Sequence, residues 1–343
     1  MKRDDSHPNL LYWYSRNGRP LPWRKTGDPY LIWVSEIIMQ QTRVVQGTPY
    51  YNKFIERFPD IYSIAKAELS EVIKYWEGLG YYARVRNIYK TAQIIVREYN
   101  GKFPEEVQML EKLPGIGPYT ARAIASFAFG KKVAVLDGNI YRILSRVYAD
   151  DYCIDQASAR KYFQEIADRF MNQAPSADFN QAMMDLGALV CKPFQPLCKD
   201  CPLNISCMAF TRGNVEAYPV RKPKSIRPKK KGACHFIVNP EGKFYIRQRN
   251  HKGLWGGLFE LPWYYKGDLP EIIFQQENQK KIGYIHHVFT HFELELEVLV
   301  SFVSEDCMAK DAHWIGANEI NNYTFPRAMH KIFHILRNKE FVK

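Results

Sequence analysis

The chain has 343 residues, 46% of them hydrophobic and 14% aromatic, enough for two ordinary domains with a core each. The opening "MKRDDSHPNL" carries charges but no apolar stretch, and no apolar run reaches the roughly 18 residues of a membrane span, so a soluble protein with neither secretion nor membrane insertion is expected. A net charge of +12 favours polyanionic partners, nucleic acid ahead of membrane surface, because no basic amphipathic anchor is visible; basic proteins that bind no polyanion share this charge.

Up to about residue 190 the apolar residues recur at helical spacing with Gly/Pro punctuation, which predicts an all-α region of many short helices. "LIWVSEIIMQQT" (31–42) is an apolar helix with one acid, Glu36. Either a hidden arginine or backbone donor satisfies that carboxylate, or its apolar surroundings hold a proton on it for use. "WEGLGYYARVRN" (76–87) sets two tyrosines before two arginines, a pattern that suits a wedge between bases as well as tyrosines packed in a core.

In "LPGIGPYTARAIASFAFG" (113–130), Gly115 and Gly117 form a tight turn before a helix of small residues. The turn is a helix-helix connection, or one whose N–H groups meet a phosphate. Asp137 in "AVLDGNIYRIL" precedes a helical run and reads as an N-cap, which is compatible with chemistry. The helix dipole is expected to keep Asp137 ionised, whereas apolar neighbours raise the pKa of Glu36. Two carboxyls pushed in opposite directions are what glycoside cleavage uses, one protonating the leaving group and one stabilising an oxocarbenium-like centre. The sequence does not place them in contact.

Four of the seven cysteines crowd into Cys191-x6-Cys198-x2-Cys201-x5-Cys207 without a histidine, while Cys153, Cys234 and Cys307 are scattered. Scattered thiols suit a reducing compartment, where four dense thiolates indicate a metal centre. An iron–sulfur cluster leads; zinc competes, although only one C-x2-C knuckle is present. Lys192 and Lys199 on this loop could face a phosphate backbone. "RKPKSIRPKKK" (221–231), with seven cations and no acid, reads first as a solvated linker and second as a phosphate contact or nuclear signal. Beyond it, "CHFIVNPEGKFYIRQR" predicts two strands around an Asn-Pro-Glu-Gly turn, "FELELEVLV" (292–300) alternates as a strand, and "RAMHKIFHILRN" returns to helix, which makes the second domain α+β.

Together "LPWR", "WVSEIIMQQT", "WEGLGYYARVRN", "LPGIGPYTA", "LDGNIYRILSR", "FNQAMMDLGALVC", the cysteine loop and "GLWGGLFELP" make the chain resemble the MutY-type adenine DNA glycosylases, within the helix-hairpin-helix superfamily that contains endonuclease III. The resemblance covers nearly the whole chain. It implies a helix-hairpin-helix domain with a [4Fe-4S] cluster loop over 1–214, a basic linker over 215–231 and a Nudix-like lesion-recognition domain over 232–343. The implied activity is removal of adenine opposite 8-oxoguanine or guanine in double-stranded DNA, after the base is flipped from the stack.

Residue by residue, Glu36 matches the general acid that protonates adenine N7, Asp137 the carboxylate at the sugar C1′, and Tyr119 and Asn139 their supports. Leu21, Trp23 and Arg24 match the adenine pocket, with Gln181 standing where some members carry Glu. Gln41 and Tyr81 match residues that enter the stack near the lesion. Phe289-Thr290-His291 stands for a Phe-Ser-His element that contacts 8-oxoguanine, with Thr in place of Ser; the hydroxyl is kept and a methyl is added.

Related lyases carry a lysine at position 119 for a Schiff base; Tyr119 implies a monofunctional glycosylase. No acidic Nudix box of the REUxEExGU type is found, so no magnesium site or hydrolysis is expected of the second domain. Three other readings differ from this one. An oxidised-pyrimidine glycosylase-lyase is opposed by Tyr119, a non-catalytic iron–sulfur DNA-binding protein by Glu36 with Asp137, and a Nudix pyrophosphatase by the missing box. A monomer in the bacterial cytoplasm is expected, with the basic run compatible with a nucleus.

Overall fold

The computed structural model describes residues 7–172, 174–223, 226–250, 253–268, 279–303 and 313–342. The chain divides into two compact units, Met1–Ala67 with Asn87–Lys224, and Glu68–Arg86 with Ser225–Lys343. Among the described residues no helix is long and apolar enough to cross a membrane.

The first unit is helical. Helices α1 (His7–Asn17), α2 (Pro29–Met39), α3 (Val44–Arg57) and α4 (Ile61–Lys66) are followed in the chain by α5 (Leu69–Tyr75), which belongs to the second unit. Then come α6 (Ala83–Tyr99), α7 (Val107–Leu110), α8 (Pro118–Phe129), α9 (Gly138–Tyr148), α10 (Ala159–Met171), α11 (Ser176–Leu189) and α12 (Met208–Thr211). Helix α2 starts where Asp28 accepts the Tyr30 N–H at 2.8 Å and Pro29 presets the first turn. Ile32, Trp33, Val34, Ile37 and Ile38 leave it no polar face, so it is buried and packs on α8. The Ala121, Ala123 and Ala125 side chains of α8 are small enough for that approach.

The turn before α8 is pinned by Thr91 Oγ1, which donates to the Pro114 carbonyl at 2.8 Å. Gly115 there has φ +77, and a Cβ on it would stand 2.6 Å from that of Asn87, so only glycine fits. Asn180 of α11 ties down the segment that leads to Asp137. Its Nδ2 donates to Ser126 Oγ and the Val133 carbonyl, each at 2.9 Å, and its Oδ1 accepts the Val135 N–H at 3.0 Å.

The second unit carries a mixed sheet of β1 (Lys229–Val238), β2 (Phe244–Gln248), β3 (Phe259–Glu260), β4 (Trp263–Tyr265), β5 (Lys280–Val288), β6 (Glu293–Phe302) and β7 (His313–Ile315), in the order β3-β2-β1-β6-β5, with β4 on β1 and β7 on β2. β1 and β6 run parallel, and the other pairs are antiparallel. The predicted alternation holds: Leu294, Leu296, Val298 and Val300 are fully buried, together with Met329, Ile332, Phe333 and Leu336 of α13 (Arg327–Asn338) in one core.

Two boundaries differ from the sequence-based division. The segment Glu68–Arg86 groups with the sheet, because Glu77 Oε1 accepts the Phe325 N–H and faces His330 at 3.3 Å each, while Arg86 donates to the Gly256 carbonyl at 2.5 Å. The basic run is also only partly a linker. Lys229, Lys230 and Lys231 are already β1, in register with Glu293, Leu294 and Glu295 of β6, and Lys230 lies over the Tyr265 and Phe292 rings. At the other end, Val215 and Tyr218 are held by the Arg146 guanidinium through their carbonyls.

Replacing Asn180 by Ala strands a buried carbonyl and a buried N–H, each at a cost of about 1–3 kcal/mol. The first unfolding transition of Asn180→Ala in urea is therefore expected to show a loss of several kcal/mol; a loss below about 1 kcal/mol contradicts the bracing role.

Candidate active site

A cavity of about 1150 Å³ in the helical unit is lined by Leu21, Trp23, Arg24, Glu36, Gln41, Tyr119, Asp137, Asn139 and Gln181. These are nine of the residues singled out from the sequence, drawn from five separate stretches of chain. Glu36 enters from α2 and is 7% exposed. Burial pushes its carboxyl up to about 7, and the nearby Asp137 charge adds to the rise; the Tyr119 hydrogen bond and the Arg24 charge oppose it. The Tyr119 hydroxyl is itself held well above its usual pKa by burial and by the two carboxylates, so it remains a neutral hydrogen-bonding group, 3.8 Å from the Met184 sulfur.

Asp137 caps α9. Oδ1 accepts the N–H groups of Asn139 and Ile140, and Oδ2 accepts Asn139 Nδ2, all at 2.9 Å. The cap expected from the sequence is present, but it does not set the direction of the carboxyl's shift. Asp137 keeps some accessible surface, yet loss of water around it raises its pKa above the ordinary value, opposed by those three donors and by Arg142. Both acids are thus pushed up, because desolvation outweighs the cap. Asn139 is fixed in turn by Arg142, whose Nη2 donates to Asn139 Oδ1 and to the Gly187 carbonyl at 2.8 Å each. A Cβ on Gly187 would come within 2.5 Å of the Asn139 Cβ, so α11 can meet this support only through glycine.

Sequence reasoning missed the ionic frame that holds Arg24. Asp185 of α11, 0% exposed, receives Arg24 Nη1 and Nη2 at 2.6 and 2.9 Å, and Arg19 through Nε at 2.7 Å and its backbone N–H at 2.8 Å. The signal was available: Asp185 is a lone acid in the apolar run "AMMDLGALV", as Glu36 is in its own helix. Gln181, one turn before it, accepts the Tyr14 hydroxyl at 2.6 Å.

The remaining residues stand elsewhere. Tyr81, in the second unit, shares with Gln41 of the cavity lining a left-handed backbone, with φ 51 and 58. That conformation is costly for a non-glycine residue and collects at functional loops. Tyr81 is half exposed beneath the Arg84 guanidinium. Gly115 and Gly117 form the hairpin before α8 and do not line the cavity. Phe289, Thr290 and His291 form the tight β5–β6 turn, closed by the Phe289 N–H donating to the Phe292 carbonyl at 2.8 Å. The Phe289 ring stacks on Phe292 at 4.4 Å, while Thr290 and His291 are exposed and 3.3 Å apart at Oγ1 and Nδ1.

Cys191, Cys198, Cys201 and Cys207 surround one small cavity with Arg146, which donates to the Cys191 sulfur at 3.3 Å and to the Lys192 carbonyl at 2.7 Å. All four thiols lie along the lining of that space, with no histidine or carboxylate among its lining residues. Burial pushes the Cys201 thiol up to about 12, so its thiolate needs the compensating charge of a metal group. The donor set and spacing fit an iron–sulfur cluster, each iron taking one thiolate.

Comparison with known proteins finds two family models in the chain. The family model of the HhH-GPD superfamily base excision DNA repair proteins matches residues 34–169, and a NUDIX domain model matches residues 233–334. The adenine DNA glycosylase of Buchnera aphidicola subsp. Schizaphis graminum is 36% identical over 96% of this chain and 97% of its own. That of Homo sapiens is 30% identical over 97% of this chain and 74% of its own. A solved thermostable thymine-DNA glycosylase is 29% identical with a TM-score of 0.57, covering 62% of this chain and 98% of that one. Endonuclease III in a non-covalent DNA complex, at 20% identity and a TM-score of 0.51, shares the fold over 62% of this chain and 98% of its own. With 30–36% identity to adenine DNA glycosylases over nearly its whole length, and matches to a base-excision-repair model and a Nudix model, the chain belongs to the adenine DNA glycosylase family.

Proposed function

We propose that this adenine DNA glycosylase acts on adenine mispaired with 8-oxoguanine, and with guanine, as a monofunctional enzyme. The carrying observation is Glu36, a carboxyl pushed up to about 7 in a cavity it shares with Asp137. An acid with that pKa is protonated in a large fraction of molecules near neutral pH and can donate to N7 of an adenine flipped into the cavity. Protonation weakens the glycosidic bond, and positive charge grows on the sugar as the bond breaks. Asp137, held by three N–H donors, faces that charge without having to reorganise. Trp23, Leu21 and Gln181 supply the walls and a polar group for the base. Glu36, once it has given up its proton, can accept one from the attacking water. Tyr119 offers no amine for a Schiff base, so the abasic strand is left intact.

The exposed Thr290–His291 tip suits recognition of the opposite base, and Gln41 and Tyr81 suit insertion beside it. The second unit binds without hydrolysing nucleotides. The four cysteines would hold a [4Fe-4S] cluster whose role is to shape the 191–207 loop toward phosphates. Monomeric action in a bacterial cytoplasm completes the proposal.

Single-turnover excision from a duplex with A opposite 8-oxoguanine tests it. The rate should fall as pH rises through about 7, because the active form of Glu36 is the protonated one. Glu36→Gln should be slower by about 10²–10⁴-fold while still binding the duplex. A flat pH profile, or wild-type rates in the variant, removes Glu36 from this role. In the same assay Asp137→Asn is expected to retain duplex affinity, since an amide oxygen still caps α9, and to lose excision by at least about 10²-fold, since it cannot offset cationic charge. Purified protein should carry about four irons with a broad visible absorption band; zinc alone on elemental analysis eliminates the cluster.

A further inference from the structure

We infer that Asp185 is a positioning residue for catalysis: its two-point clamp on Arg24 keeps that guanidinium from pairing with Glu36. The inference rests on the proposed role of Glu36 as proton donor. Arg24 lines the same cavity as Glu36, its charge pulls the Glu36 carboxyl toward the ionised form, and its side chain is only 9% exposed, so water does little to screen it. Left to itself, a buried arginine within reach of a carboxylic acid would take its proton's place, forming a charge-assisted pair with the ionised acid. In this cavity the terminal nitrogens of Arg24 are already engaged, both by Asp185 and one also by the Arg19 carbonyl at 3.3 Å.

The groups around the two partners make the balance explicit. Facing Glu36 are Tyr119 from α8, Asp137 ahead of α9, and Arg24. Facing Arg24 are Asp185 from α11, Tyr14 from α1, and Glu36. Among the described residues Asp185 is the carboxylate that accepts hydrogen bonds from Arg24, through both terminal nitrogens, while Glu36 acts on Arg24 through its charge. Arg19, with a quarter of its side chain in solvent, supplies the second cation that lets Asp185 remain ionised while fully buried. The trio thus gives the cavity a cationic wall for an electron-rich base while sparing the acid opposite it.

The test is the pH profile of single-turnover adenine excision by the full chain. In Asp185→Asn, Arg24 is released toward Glu36, and the alkaline limb should move down by about one pH unit. Excision would then be roughly eightfold slower than wild type at pH 7.5 but within about twofold at pH 5.5, where Glu36 is protonated in both. Asp185→Glu, which retains the charge, should keep the wild-type limb. Should the single Asn variant fail to fold, the double variant Arg24→Gln/Asp185→Asn removes both buried charges, and its limb should lie at or above that of wild type. A uniform loss at every pH, an unmoved limb in Asp185→Asn, or a lowered limb in the double variant overturns the assignment. If wild type shows no alkaline limb at all, it is the role of Glu36 that fails, and the two failures are told apart.

Discussion

Everything in the helical unit turns on the withdrawal of water from one carboxyl. An acid placed among Ile32, Ile37 and the rest of α2 loses the hydration that stabilises its charged form, and each unit of pKa shift represents about 1.4 kcal/mol of that loss. Folding tolerates this because a neutral carboxyl costs far less to bury than a charged one, while the Tyr119 hydrogen bond limits the rise by favouring the ionised form. The small side chains of α8, the glycine turn before it and the Asn180 brace are the packing conditions under which α2 can sit so deep.

Helix α9 works by the opposite device. Its first turn gathers N–H donors around Asp137, and its later turns send Arg142 and Arg146 toward the carbonyls of Gly187, Cys191, Lys192 and Val215. A single rigid element thus holds the carboxylate at one end and the cysteine loop along its side. Arginine suits this task because its planar fork can satisfy several carbonyls at once. The Asp185 frame uses the same property with the charges reversed, one buried acid engaging two forks.

In the second unit, charge is handled by pairing across strands. The lysines at the start of β1 are matched by the glutamates of β6, so a run that is all cations in sequence is partly neutralised in the sheet. Glu260, fully buried, is matched by Arg247, Arg249 and the Trp263 indole N–H. These contacts leave the β5–β6 turn free to present Thr290 and His291 to solvent.

Much of this was legible in the residues. Helical periodicity, the 292–300 alternation, the Asp137 cap and the cysteine spacing are local patterns, set by backbone geometry over a few residues, and the motif resemblance named the residues that line the cavity. Three features were not local. The Arg24–Asp185 pair joins positions 161 residues apart, and no periodicity marks which acid meets which base. The grouping of Glu68–Arg86 with the sheet depends on where Glu77 and Arg86 find partners. The direction of the Asp137 shift depends on how much water the fold removes, a quantity that a cap motif does not contain. The sequence determined the helices, the strand alternation and the acid that caps α9, because these follow from near neighbours. The tertiary structure alone decided their ionisation and their partners, because burial and long-range pairing exist only once the chain has closed around them.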